Sequence, residues 1–173
     1  MAKDQFLNYR VIGNGYPVVF IHGFLESNNM WKDLLPSLSN QYRCILIELP
    51  GHGNSKHFEC KTIPQFAQYV KAIIDTLAIA NFDIIGHSLG GYVSLELIHQ
   101  IESFEGKLVL LNSHPWADSA SKKEERTRVI DVVQKNKELF IKTAIPNLFR
   151  NEQDHKREVE SLVNDALKME TTA

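Results

Sequence analysis

No stretch of the chain approaches the roughly 18 consecutive apolar residues of a membrane-spanning helix, so no membrane span is expected. An excess of one charge is lacking as well. Nineteen Lys and Arg against 21 Asp and Glu leave a formal net charge of −2, which offers no electrostatic footprint for nucleic acid or an anionic membrane surface. The densest charge cluster, Lys122 to Arg128, mixes both signs and reads as a solvated helix face. Cysteine is scarce: Cys44 lies in an apolar run and Cys60 in a polar loop. A disulfide between them is not expected, because nothing else points outside the cell. The first ten residues, Met1 to Arg10, hold no apolar stretch that could serve as a signal peptide. The expectation is a cytoplasmic protein. Repeats and low-complexity tracts are absent too.

What is present fits one globular domain. A chain of 173 residues can bury a proper core but is too short for two domains of ordinary size. Tyr16 to Ile21, opened by the turn Gly13-Asn14-Gly15, reads as a buried strand. Phe6 to Ile12 alternates loosely and is expected to pair with it as a hairpin. Further buried strands are expected at Arg43 to Leu49, Phe82 to Ile85 and Lys107 to Leu111. Between them lie helical patterns at Ser27 to Leu38, Thr62 to Ala78 and Leu89 to Ile101, the second opened by the capping box Thr62-Ile-Pro-Gln65. Alternation of buried strands and helices implies an α/β fold, a mostly parallel sheet with helices on both faces. After Asn112 the texture becomes helical: a capping box at Ser121 to Glu124, a stretch from Glu138 to Ile145 closed by Pro146, and a third from about Asp154 to Lys168.

The pattern Gly86-His87-Ser88-Leu89-Gly90 follows one buried strand at once and opens a helix at once. Gly-x-Ser-x-Gly alone occurs by chance in many chains; that context makes it specific. A nucleophile must turn sharply there so that its hydroxyl projects above the sheet, at a backbone strain of about 1–3 kcal/mol. Gly86 and Gly90 would supply the clearance, with Gly91 adding more. Ser88 is therefore the candidate nucleophile. An acyl-transfer site also needs two N–H donors aimed at the oxyanion, each worth roughly 3–4 kcal/mol. The candidates are the N–H groups of Leu89 and of Phe24, the latter after His22-Gly23 at the end of an earlier strand. His22 itself is read as bracing that loop. Leu49 to Ser55 is a turn-rich loop with two permissive glycines.

Together, His22-Gly-Phe24, Pro50-Gly-His-Gly-Asn-Ser55 and Gly86-His-Ser-Leu-Gly-Gly91 resemble the α/β-hydrolase family, in its branch of small esterases and C–C-bond hydrolases. The resemblance spans about residues 8 to 115, and implies an N-terminal core over 1–116 and the start of a helical cap over 117–173. It implies cofactor-free, metal-free hydrolysis of a small ester, thioester or similar carbonyl substrate. A serine attacks the acyl carbon, a histidine takes its proton, and a carboxylate orients the histidine. Serine at the elbow argues against dehalogenase and epoxide hydrolase chemistry, while perhydrolases, lyases and thioesterases share the motifs. Glu48 stands where an Asp is common before this loop, a change expected to matter little.

The family's acid and histidine usually follow later strands, which this sequence does not show before Ala173. His99 lies eleven residues down the helix, about 16 Å from the serine, and is excluded as a base. His155 reads as part of a solvated helix start. His114 follows the strand Lys107 to Leu111 at the sheet edge that carries Ser88, so it could line the pocket or act as a base. Asp118 sits at the alternative acid position of some lipase-like members, and Trp116 could line the same pocket. Equally, residues 114–118 could be only the loop where the cap begins. Two accounts are open: a fragment of a longer hydrolase, or a natural short form that kept the front half for binding or assembly; the alternative function is a non-catalytic small-ligand-binding module. Either would expose a sheet edge at Lys107–Leu111 and a cap face, so oligomerisation, poor solubility or a swapped partner is expected. Light scattering checks this: a homo-oligomer is the expected result, and a monodisperse stable monomer would count against it.

Overall fold

The computed structural model describes residues 6–169. Residues 1–5, part of the segment read for a leader, and 170–173, the end of the expected helical segment, lie outside the described residues. Five strands form one sheet: β1 (Tyr9–Ile12), β2 (Tyr16–Ile21), β3 (Tyr42–Ile47), β4 (Asp83–His87) and β5 (Leu108–Leu111), in the order β1-β3-β2-β4-β5. The last four in that order run parallel, and β1 is antiparallel to β3. Val19, Phe20 and Ile21 of the central β2 are fully buried, as a strand covered on both faces requires. No helix among the described residues is long and apolar enough to cross a membrane.

The expected hairpin does not form. β2 pairs with β3 from Tyr16↔Tyr42 to Ile21↔Ile47 and with β4 from Val18↔Asp83 to Ile21↔Gly86, so both of its edges are taken. β1 takes the free edge of β3 instead, in register from Tyr9↔Ile47 to Ile12↔Cys44. The chain between β1 and β2 therefore has to cross the start of β3. It does so at Gly13 (φ +78°), where a Cβ would stand 2.2 Å from the Ser39 carbonyl oxygen and 2.5 Å from that of Tyr42.

On one face Val19, Ile21, Ile45, Ile47 and Ile84 pack against two helices, α2 (Ile63–Thr76) and α3 (Leu89–His99). Thr62 caps α2 by accepting the Gln65 N–H at 3.4 Å, while the Gln65 side chain accepts the N–H of Lys61 at 2.9 Å. The return arm of the capping box thus lands one residue earlier than the motif implies. The opposite face, with Val18, Phe20, Cys44 and Leu46, is covered by a thinner layer around Trp31. Here the single helix expected over Ser27–Leu38 is two pieces, a 3₁₀ turn (Asn28–Trp31) and a one-turn α1 (Leu35–Leu38). Pro36 is the reason: it has no N–H for a continuing helix, and its ring would strike the carbonyl a turn earlier. Cys44 and Cys60 are both buried, but in the layers on opposite faces of the sheet. Cys60 is therefore core, although its neighbours in sequence are polar.

After β5 the chain forms α4 (Ala120–Ala144) and α5 (Lys156–Leu167). Ser119, not Ser121, caps α4 by accepting the Lys122 N–H at 3.2 Å. The two helical stretches expected here are joined across a kink at Asn136 (φ −154°, ψ 77°), whose side chain accepts the Leu139 N–H and restarts the helix. Ile141, Ile145, Val159 and Ala166 form a separate small core that also receives Leu25 from the loop after β2. Asp165 of α5 accepts from Asn29 Nδ2 at 2.8 Å, which ties this helical segment to the loop after β2.

Gly13→Ala is expected to destabilise the fold by about 2 kcal/mol or more. Asn14→Ala, at the exposed neighbour, is expected to stay within about 0.5 kcal/mol. Urea unfolding of the two variants checks this, and equal midpoints would rule out the crossing as a constraint.

Candidate active site

β4 hands the chain to α3 through a single residue. Ser88 has φ 49° and ψ −113°, a conformation costing a non-glycine residue about 1–3 kcal/mol. Its neighbours hold it there. The Ser88 N–H donates to the Leu111 carbonyl at 3.1 Å. The Ser88 carbonyl accepts from the Ser113 hydroxyl at 2.9 Å and from the Gly91 N–H at 3.0 Å. The turn is closely packed. A Cβ on Gly86 would lie 2.4 Å from Ser94 Oγ, and one on Gly90 would lie 2.2 Å from the Ile21 carbonyl oxygen. α3 then starts at Leu89, so its first free N–H groups and the positive end of its dipole lie beside Ser88.

β2 ends at the same place, and its exit loop is tied down by buried polar groups. His22 Nε2 accepts the Leu49 N–H at 3.0 Å. Its Nδ1 therefore carries the proton and donates to the Gly23 carbonyl at 2.8 Å. His22 thus links the end of β2 to the end of β3. His52, in the loop after β3, donates from Nδ1 to the Pro50 carbonyl at 2.7 Å, and its ring lies 5.1 Å from that of His22. Burial, then the neighbouring His52, brings the His22 imidazole down to about 3, and burial brings His52 down to about 4. Glu48 is buried and accepts from Asn8 Nδ2 and the Asn54 N–H, both at 2.8 Å. It staples the approach to β1 onto the loop after β3.

Motif reading overlooked Glu26. One oxygen of its carboxylate, Oε2, accepts the Gly23 N–H at 2.6 Å and the Nδ1–H of His87 at 2.8 Å. The sequence offered no signal for it, because the partners stand 3 and 61 residues away and meet only when β2 and β4 lie side by side. Between Gly23 and Glu26, Leu25 adopts φ 64° and sends its side chain into the core of α4 and α5.

His114 lies past β5, as its position in sequence implied. Its Nε2 is 3.1 Å from the Tyr92 hydroxyl, and its ring stacks on Trp116 at 5.7 Å. Among the described residues no histidine hydrogen-bonds the Ser88 hydroxyl. The Asp118 carboxylate is engaged by Arg126 at 2.6 Å, and that hydrogen bond holds it below the usual carboxylate range. Trp116 is 72% exposed and helps line a cleft of about 660 Å³ with Leu89, Tyr92 and Arg126. A second cleft, about 350 Å³, opens between Phe24 and the α4 residues Val129, Ile130 and Val133. Among the described residues no group of three or more His, Cys, Asp or Glu side chains is placed to hold a metal ion.

The two buried histidines set an acid limit on the fold. Their folded values of about 3 and about 4 lie below the ordinary 6.5, so the unfolded chain binds protons first as pH falls. Their contribution is whole above pH 6.5, is lost progressively as pH falls below it, and is gone once pH has dropped through the folded values. Between pH 6.5 and those values stability is expected to fall by up to about 1.4 kcal/mol per pH unit per histidine. Urea unfolding between about pH 7.5 and pH 5 measures it, and a flat midpoint would contradict neutral burial.

Comparison with known proteins gives the lineage. The model of the alpha/beta hydrolase fold family matches residues 16–160. The chain is 39% identical over 84 residues to the dihydrolipoyllysine-residue acetyltransferase component of the acetoin cleaving system of Pseudomonas putida, covering 48% of this chain and 23% of that protein. It is 32% identical over 109 residues to the pimeloyl-[acyl-carrier protein] methyl ester esterase of Nitrosomonas europaea, covering 63% of this chain and 42% of that enzyme. A solved thermophilic esterase from Thermogutta terrifontis matches with a TM-score of 0.85 at 25% identity, over 96% of this chain and 63% of its own. The chain thus spans less than half of these curated relatives and under two thirds of that structure. With most of its length matched by the family model, the chain belongs to the alpha/beta hydrolase fold family.

Proposed function

We propose that this chain carries the nucleophile and oxyanion hole of a serine hydrolase acting on a small ester, thioester or similar carbonyl substrate. The observation that carries the reading is Ser88, held at φ 49° between β4 and α3 where glycines leave no room for side chains. In the proposed reaction, Ser88 Oγ attacks the carbonyl carbon, and the N–H groups of Phe24 and Leu89 receive the oxyanion. The C–O or C–S bond to the leaving group breaks, the leaving group takes up the proton that Ser88 gave up, and water then hydrolyses the acyl-serine and returns a proton to Ser88 Oγ. The acyl part would lie in the cleft between Phe24 and α4, with residues 117–173 as a cap over a core of 1–116. His114 and Trp116 serve as pocket wall in this reading. No cofactor enters the reaction, and the setting is cytoplasmic.

Among the described residues, the hydrogen-bond partners of His22, His52, His87 and His114 do not include the Ser88 hydroxyl. That favours one alternative: a non-catalytic module that binds a small apolar ligand between sheet and helices. His114 and Asp118 support it, His114 being engaged by Tyr92 rather than by Ser88, and Asp118 by Arg126 rather than by His114.

A fluorophosphonate probe separates the two. Covalent capture of the folded chain at Ser88, lost in Ser88→Ala at unchanged melting temperature, is expected for the hydrolase. A folded chain that captures no probe would favour the binding module.

A further inference from the structure

The peptide of Phe24 is fixed from both ends by groups that do not belong to the strand carrying it. On the Gly23 side, Glu26 Oε2 accepts the Gly23 N–H at 2.6 Å and the His87 Nδ1–H at 2.8 Å. His87 immediately precedes Ser88, so this one oxygen clamps the loop after β2 onto the elbow after β4. The contact is close. A point one bond beyond Gly23 Cα lies 2.7 Å from Glu26 Oε2, 2.9 Å from His87 Nδ1 and 3.2 Å from Ser88 Cβ. On the other side, Leu25 holds φ 64° with its side chain among Ile141, Ile145 and Val159. Beyond it, Ser27 and Asn29 contact Asp165 of α5. A left-handed leucine persists only where its surroundings over-determine it, and here Glu26 follows it directly. Glu26 and His87 are largely buried, with side chains 12% and 17% exposed.

From this we infer that Glu26 is a positioning residue: through Gly23 and His87 it sets the distance between the Phe24 N–H and the Ser88 hydroxyl. The inference rests on the reading of Ser88 as nucleophile and Phe24 as oxyanion donor. Its requirement is an acceptor oxygen at one point. Both hydrogen bonds land on the same atom, so a glutamine placing its amide oxygen there would keep both, while alanine would leave two buried donors unpaired.

The test is the capture of Ser88 by a fluorophosphonate in the whole chain, resolved into the bound affinity of the probe and the first-order capture rate. Glu26→Ala is expected to lower the capture rate by about 100-fold, the scale of a lost oxyanion donor, with affinity little changed. Glu26→Gln is expected to restore it to within about threefold, because the oxygen is kept. Should the alanine variant fail to fold, Glu26→Asp, one methylene too short to reach both donors, takes its place. Capture by the alanine variant at the wild-type rate would overturn the inference. So would a glutamine variant as slow as alanine, or a loss confined to affinity. A folded wild-type chain with no capture at all would overturn the parent reading of Ser88, and the role of Glu26 with it.

Discussion

Where α3 leaves the elbow, the Gly90 backbone lies so close to β2 that a Cβ would stand 2.2 Å from the Ile21 carbonyl oxygen and 2.6 Å from that of His22. Most of the site's geometry depends on this approach. It holds the first turn of α3 against the carboxyl end of β2, and so places the helix's unpaired N–H groups beside Ser88. It also forces the chain to turn from strand to helix within one residue, which puts Ser88 at φ 49°. A side chain at position 90 would push helix from sheet, and elbow, exit loop and both clefts would shift together.

Buried polar groups then finish what packing begins. At the carboxyl edge of the sheet the strands have stopped exchanging hydrogen bonds, and isolated loops there would leave backbone donors unpaired. His22 answers by accepting the Leu49 N–H, Glu48 by accepting from Asn8 and Asn54, and Glu26 by accepting from Gly23 and His87. Each joins segments that meet only in the fold. A neutral imidazole suits the task at His22, because its ring accepts and donates at opposite ends without the cost of burying a charge.

Which parts were legible in the sequence follows from the range of the interactions. The parallel strands were legible because each is a short apolar run with its own turn signals. The turn from strand to helix at Ser88 was legible because strand, motif and helix are contiguous. β1 was misplaced because pairing is not local: whether it joins β2 or β3 depends on which edges β4 has already taken. Over Ser27–Leu38 the residues Trp31, Leu34, Leu35 and Leu38 stand at helical spacing, yet Pro36 interrupts the helix and Leu34 is 44% exposed, so periodicity alone overstates its length. The cap of α4 was set two residues late because Ser119 and Ser121 compete and only backbone geometry decides. The Glu26–His87 clamp had no pattern to betray it.

The separation of Cys44 and Cys60 onto opposite faces of the sheet gives each thiol a different chemical address. Burial raises both above the ordinary thiol range, so neither offers much thiolate to an oxidant or alkylating agent while the fold is intact. Each becomes reactive only when its own layer opens: Cys60 with the layer of α2 and α3, Cys44 with the thinner one around Trp31. The chain thus carries, without any engineering, one chemical reporter for each face of its sheet.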